Sequence, residues 1–203
     1  MSRGGLSPVM FTDLYQLTMA QAYWQAGKMA GGTFSLSFRS YPSDRGYFVF
    51  AGLTDALRYL EDLSFTDTDI DYLRSLTLFD DDFLTFLRGL RFTGSVRAME
   101  EGAIFFANEP VMEVTAPVIE SQIVETFLVN LVNLQSMLAT KASRVVHAAQ
   151  GRTIVDFAAR RTHGGDAADR MARVSHMVGF SATSNVMAGA RYGIPVSGTM
   201  AHS

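Results

Sequence analysis

The run from Val118 to Gln150 contains neither glycine nor proline and is rich in Leu, Val and Ala. Nothing in it interrupts a helical backbone. It reads as one long helix, or two abutting ones, ended by Gly151. Glu120, Gln122, Glu125, Asn130, Asn133, Gln135, Lys141 and Arg144 make it partly amphipathic. The character of the chain changes at Pro117. This sets an expected division into an N-terminal α+β domain, 1–117, and a second part, 118–203, that begins with the helix.

Upstream of Pro117 the patterns are short and mixed. Phe11-Thr12-Asp13-Leu14 opens a helix that Thr12 or Asp13 can cap and Gly27 ends. Tyr15 and Tyr23 read as packing residues, the usual fate of aromatics in small cores. Phe34, Leu36 and Phe38 alternate with Ser35 and Ser37 as in a half-buried strand, and Tyr47–Phe50 is a second one. Arg39 and Arg45 flank the connection and read as solvated. A helix is expected over Gly52–Asp62. Another starts at Thr66 with Asp69 in capping-box spacing, and a third follows Asp80-Asp81-Asp82. These carboxylates suit the positive end of a helix better than a metal, whose ligands must converge in space. Strands at Gly94–Met99, Gly102–Ala107 and Val111–Ala116, separated by turn signals, predict an antiparallel meander.

Downstream of Gly151 the order is strand, helix, strand, helix, strand at roughly 20-residue spacing, which predicts parallel βαβ units. The strands are Thr153–Phe157, Gly179–Ala182 and Ile194–Ser197. In parallel sheets ligands bind beyond the carboxyl ends of the strands. Chemistry-bearing side chains follow all three: Asp156, Arg160, Arg161 and His163; then Ser181, Thr183, Ser184 and Asn185; then Thr199, His202 and Ser203. Arginine forks suit carboxylates and phosphates, and histidine can be acid, base or nucleophile. Taken singly, paired arginines are more often solvated and a lone histidine more often structural.

Composition removes several classes. There is no cysteine, so disulfides, zinc-thiolate sites and thiol nucleophiles are excluded. The formal net charge of -3 gives no electrostatic footprint for nucleic acid or an anionic membrane. No signal peptide is visible, and no apolar run approaches the roughly 18 residues of a membrane span. A cytoplasmic protein, with no nucleic-acid or membrane partner, is expected. The dinucleotide fingerprint, the phosphate loop and the nucleophile elbow are all missing. His147, His163 and His176 are too scattered for a metal set, and none is expected.

Four strings carry a resemblance: Phe11-Thr12-Asp13-Leu14-Tyr15-Gln16-Leu17-Thr18-Met19, Phe157-Ala158-Ala159-Arg160-Arg161, Ser184-Asn185-Val186, and the ending Gly198-Thr199-Met200-Ala201-His202-Ser203. In this order they resemble the nicotinate phosphoribosyltransferase family. The resemblance implies an α/β fold: an N-terminal α+β domain attached to an irregular α/β barrel, of which this chain holds the first βα units, incomplete. It implies transfer of a phosphoribosyl group from phosphoribosyl pyrophosphate to nicotinate, giving nicotinate mononucleotide for NAD salvage. ATP hydrolysis is coupled to the step, Mg²⁺ is required, and the full-length protein is a homodimer. On the matching positions, His202 is the histidine transiently phosphorylated by ATP. Thr199 contacts nicotinate, Arg160 lies near the substrates, and Tyr15 reaches into a site at the subunit interface. Ser203 lies beside the histidine as a further substrate contact. The chain stops directly after a buried strand, which reads as a cut through a domain. The resemblance leaves two alternatives: a relative that uses nicotinamide, and a non-catalytic fragment or half of a split enzyme completed by a partner chain.

Overall fold

The computed structural model describes residues 5–200. They fall into two compact, interleaved units. One comprises the segment ending at Ser37, Leu53–Ala98 and Pro110–Leu131. The other comprises Phe38–Gly52, Met99–Glu109 and the segment from Val132 onward.

The first unit holds α1 (Leu14–Gln25), β1 (Gly31–Ser37), α2 (Leu53–Glu61), α3 (Asp67–Ser75), α4 (Asp81–Gly89), β3 (Ser95–Ala98) and β5 (Pro110–Pro117). Its sheet has the order β1-β5-β3, antiparallel throughout. Prolines bound β5 at both ends, where no ladder amide is needed. Between them Val111, Met112, Val114 and Ala116 are buried. Gly94 lies so close to Thr115 and Ala116 that a β-carbon there would collide with both. The helices bury apolar stripes, and Trp24 meets Phe83 and Phe86 edge-tilted at 5.9 and 6.2 Å.

The second unit contains β2 (Phe48–Val49) paired antiparallel with β4 (Ile104–Phe105). The expected meander is therefore not formed: β3 pairs with β5, and β4 pairs with β2. Aromatic packing explains the partner choice. Phe48 and Phe105 are fully buried, stack at 5.2 Å, and are joined by Phe38 at 4.8 and 5.1 Å. Arg45 also departs from expectation. Its side chain is only 14% exposed, and its guanidinium donates to the Met137 carbonyl at 3.3 Å.

Val118–Ala149 forms one continuous helix, α5, whose first half belongs to the first unit and second half to the second. Gln150 and Gly151 end it in the left-handed region, with φ of 49° and 81°. By length and composition α5 could cross a membrane, although half of its most apolar window is buried inside the protein. A count of uninterrupted apolar residues misses this, because the average rather than the run is apolar. Its buried polar groups are bonded within the protein, except the Ser121 hydroxyl, which has no partner among the described residues. Gln122 bonds Gln16 in the first unit. In the second, Thr140 and Ser136 accept from the amides of Val49 and Ala51 at 2.9 and 3.1 Å.

After α5 come β6 (Val155–Asp156), α6 (Gly165–Met177), β7 (Ala182–Thr183) and α7 (Val186–Tyr192). β6 and β7 pair in parallel, and Thr183 makes a further parallel bridge to Val196. The expected βαβαβ unit is present, its third strand reduced to that bridge. Ala172, Ala188 and Ile194 form a small core between its helices and strands, with Tyr192 against it.

Helix starts vary in how they are satisfied. Asp13 and Asp80 stand at N-cap positions, yet neither side chain caps. Asp13 accepts instead from Thr126 at 2.8 Å, and Asp80 from Gln25 at 2.7 Å. The Thr66–Asp69 capping box forms fully. Asp69 is buried, and its carboxylate also accepts from the amide and hydroxyl of Ser7 at 2.9 and 2.6 Å. Burial alone would raise its pKa, but the bonds from Ser7 and Thr66 outweigh that and hold it below the usual carboxylate value. A depressed folded-state pKa adds stability above the unfolded value that is lost as pH falls through the folded one. Asp69→Ala should therefore cost about 2 kcal/mol at neutral pH, and the difference from the parent should shrink below about pH 4. Denaturant unfolding across pH checks this; a pH-independent difference would show that the carboxylate charge is not what matters.

Candidate functional site

The carboxyl ends of the parallel strands are tied by a chain of side-chain hydrogen bonds. Thr183, fully buried at the end of β7, donates from its hydroxyl to Asp156 at the end of β6 at 2.9 Å. The same hydroxyl accepts from the Asn185 amide at 3.1 Å. The other Asp156 oxygen accepts from the Ala158 amide at 2.8 Å, an Asx-type turn that bends the chain into the 3-10 turn Ala159–Arg161. That turn carries Arg160 and Arg161, both exposed. Among the described residues the Arg160 guanidinium has no side-chain partner, so its fork is available to an anion.

Asn185 occupies the N-cap of α7 and accepts from the Ala188 amide at 3.1 Å. Its amide nitrogen donates to Asp169 of α6 at 3.0 Å. The second Asp169 oxygen accepts from Arg191, at the far end of α7, at 2.7 Å. The Arg191 pKa is raised, by its hydrogen bond with Tyr192 first and by Asp169 next. Beyond α7 the chain returns to the sheet. Thr183 donates to the Pro195 carbonyl and accepts from the Ser197 amide, each at 3.0 Å. Thr199 comes next, exposed, two residues past that contact. Exposed apolar side chains, Phe157, Val186 and Val196, lie at the same strand and helix ends.

Arg160 and Thr199 thus both follow carboxyl ends of the same parallel sheet, in the order β6, β7, Val196. His202 and Ser203 lie outside the described residues. Tyr15 belongs to the first unit, on α1, and is 49% exposed, which departs from its reading as a packing residue. Its hydroxyl accepts from Gln16 at 2.7 Å and lies 3.5 Å from Glu125. Loss of solvation, with the Glu125 and Asp13 carboxylates, raises its pKa and keeps it protonated at neutral pH. His176 is structural, its Nδ1 2.8 Å from the Phe180 carbonyl. Among the described residues no group of three or more His, Asp or Glu could hold a metal ion.

Sequence reading missed Asp169, which lies mid-helix and is 1% exposed. The available signal was an acid on the inner face of α6, among Ala168, Ala172, Val174 and Ser175.

A family profile, that of the nicotinate phosphoribosyltransferase (NAPRTase) N-terminal domain, matches residues 10–133. The chain belongs to the nicotinate phosphoribosyltransferase family. Among its relatives, nicotinate phosphoribosyltransferase pncB2 of Mycobacterium tuberculosis is 53% identical over 195 residues, covering 96% of this chain and 42% of that protein. The Bacillus subtilis nicotinate phosphoribosyltransferase is 49% identical, covering 96% of this chain and 40% of that one. The chain therefore spans about two fifths of the length of these family members. The crystal structure of human nicotinic acid phosphoribosyltransferase superposes with a TM-score of 0.87 at 37% identity, over 94% of this chain and 39% of that one. A nicotinate-nucleotide pyrophosphorylase from Pyrococcus furiosus shares the fold, with a TM-score of 0.77 at 22% identity, over 100% of this chain and 46% of that one. The profile match takes in α1 through the first half of α5, and the longer alignments extend the likeness across the strand-end network of this family member.

Thr183→Val keeps the shape of the buried side chain and removes its hydroxyl. The Asp156 carboxylate and the Asn185 amide then each lose a partner, so stability should fall by about 2–4 kcal/mol. Chemical denaturation measures it, and a loss below about 0.5 kcal/mol would mean that the strand ends do not depend on this bond.

Proposed function

We propose that this chain provides the N-terminal share of a nicotinate phosphoribosyltransferase that forms nicotinate mononucleotide in NAD salvage, in the cytoplasm and as a homodimer. In that reaction the nicotinate ring nitrogen bonds to C1 of the phosphoribosyl group. The bond from C1 to the pyrophosphate oxygen breaks, and its electron pair leaves with pyrophosphate. The observation that carries the reading is the pairing of an open arginine fork and a threonine hydroxyl at the carboxyl ends of one parallel sheet.

Arg160 grips a carboxylate or phosphate oxygens through two parallel bonds, and the Asp156 turn sets its direction. Thr199 donates or accepts a hydrogen bond at nicotinate. An arginine at the strand ends favours nicotinate over nicotinamide, because it gains more from a carboxylate than from a neutral amide. His202 accepts a phosphoryl group from ATP and loses it to water as transfer proceeds, with Ser203 beside it. Tyr15, held protonated, enters from the first unit of the dimer partner. The described residues do not fit a protein-held Mg²⁺, since they offer no cluster of oxygen ligands and Asp156 is engaged by Thr183 and Ala158.

The test is an assay of nicotinate mononucleotide formation, with and without ATP, on the chain together with the remaining length found in its relatives, whether encoded in frame or supplied as a partner chain. Product should form from nicotinate and phosphoribosyl pyrophosphate; turnover of nicotinamide in its place would overturn the substrate assignment. Arg160→Lys should lose at least about tenfold in kcat/KM, because lysine cannot reproduce the fork. Near-parental kinetics would put Arg160 on a solvated face. His202→Ala should abolish ATP stimulation and leave a slower ATP-independent transfer; unchanged coupling would reject the phosphohistidine.

A further inference from the structure

α7 is a short helix of seven residues between β7 and the segment that carries Thr199. A helix this short has little stability of its own, so its position depends on the contacts that hold it. Both of its ends are held by one side chain. Asp169, nearly fully buried on α6, takes the Asn185 amide at the start of α7 on one oxygen and Arg191 at its end on the other. Asn185 spends its own oxygen on the Ala188 amide, so the same residue caps α7 and anchors it to α6. α7 in turn fixes the Ile194–Val196 segment. Gly189 lies against Val196 and the Ile194 carbonyl so closely that a β-carbon would collide with the Val196 side chain. The Ile194 amide donates to the Gly189 carbonyl at 3.1 Å. A shift of α7 is therefore a shift of Val196, and Thr199 leaves the sheet three residues later.

We propose that Asp169 is a positioning residue for nicotinate: by clamping both ends of α7 it sets where Thr199 stands. The catalytic half of this inference rests on the function proposed above; the structural half does not. Asp169→Asn keeps an acceptor for Asn185 but presents an amide to Arg191, so the fold is retained with one arm lost. Arg191→Gln cuts the same arm from its exposed end and guards against misfolding of the first variant.

Two readouts test it in the complete protein. Amide exchange needs no activity: in either variant the Ser197 amide, which bonds the Thr183 carbonyl, should exchange at least about tenfold faster. Unchanged exchange at Ser197 overturns the clamp. Kinetics test the consequence. The KM for nicotinate should rise about tenfold while that for phosphoribosyl pyrophosphate stays within about twofold, and the rise should largely vanish in a Thr199→Ala background. Equal shifts for both substrates, or full additivity with Thr199→Ala, overturn the positioning role. A parent without transferase activity whose variants still lose Ser197 protection overturns the functional reading and the catalytic half of this inference, and leaves the clamp standing.

Discussion

Thr183 is the residue on which the second unit turns. Its backbone joins the third strand segment through Pro195 and Ser197, and its side chain joins β6 through Asp156. The same oxygen receives the Asn185 amide, where the chain enters α7. Four bonds at one buried residue thus fix three strand ends. A parallel ladder of two-residue strands has few backbone bonds to spend, so side chains supply the rest of the register. These bonds fix the strand ends from which the Arg160 turn and the Thr199 segment depart.

In the function proposed above, the strand ends separate holding from acting. Asp156, Thr183 and Asp169 are buried and bonded to one another or to neighbouring elements. Arg160 and Thr199 are exposed and take their direction from the buried set. A carboxylate that accepts from both a hydroxyl and an amide has little left for a ligand, so Asp156 serves by shaping the arginine turn. Buried polar networks of this kind specify one arrangement only when every member is satisfied.

Local rules carried the sequence reading where the determinants are local. The Thr66–Asp69 box lies within three residues, so it was legible. The spacing of strands and helices after Gly151 likewise announced the parallel unit. The readings that failed depend on distant partners. Asp13 looks like a cap in sequence, but Thr126 claims its carboxylate. The three strands before Pro117 look like a meander, but the rings of Phe48 and Phe105 pull β4 to β2. Arg45 looks solvated until α5 lies over it. The positions of Arg160 and Thr199 after parallel strands followed from the spacing. The exposure of Tyr15 on α1 could not be read, because an aromatic on a helix carries no mark of exposure. Asp169 showed only as an acid on a buried helix face, and its role was not legible because its partners are sixteen and more residues away.

The order of the first sheet has a consequence for synthesis. Its central strand, β5, is the last of the three to leave the ribosome, after both flanking strands. Until Pro110–Pro117 appears, β1 and β3 have no ladder to join, and both must wait as unpaired edges. At about 5–20 residues per second that interval lasts seconds, long compared with hairpin formation. Of the alternating positions of β1, Thr33 and Ser35 then add no apolar surface to the waiting edge, and Phe34 between them is the group that its partner strand must come to cover in part.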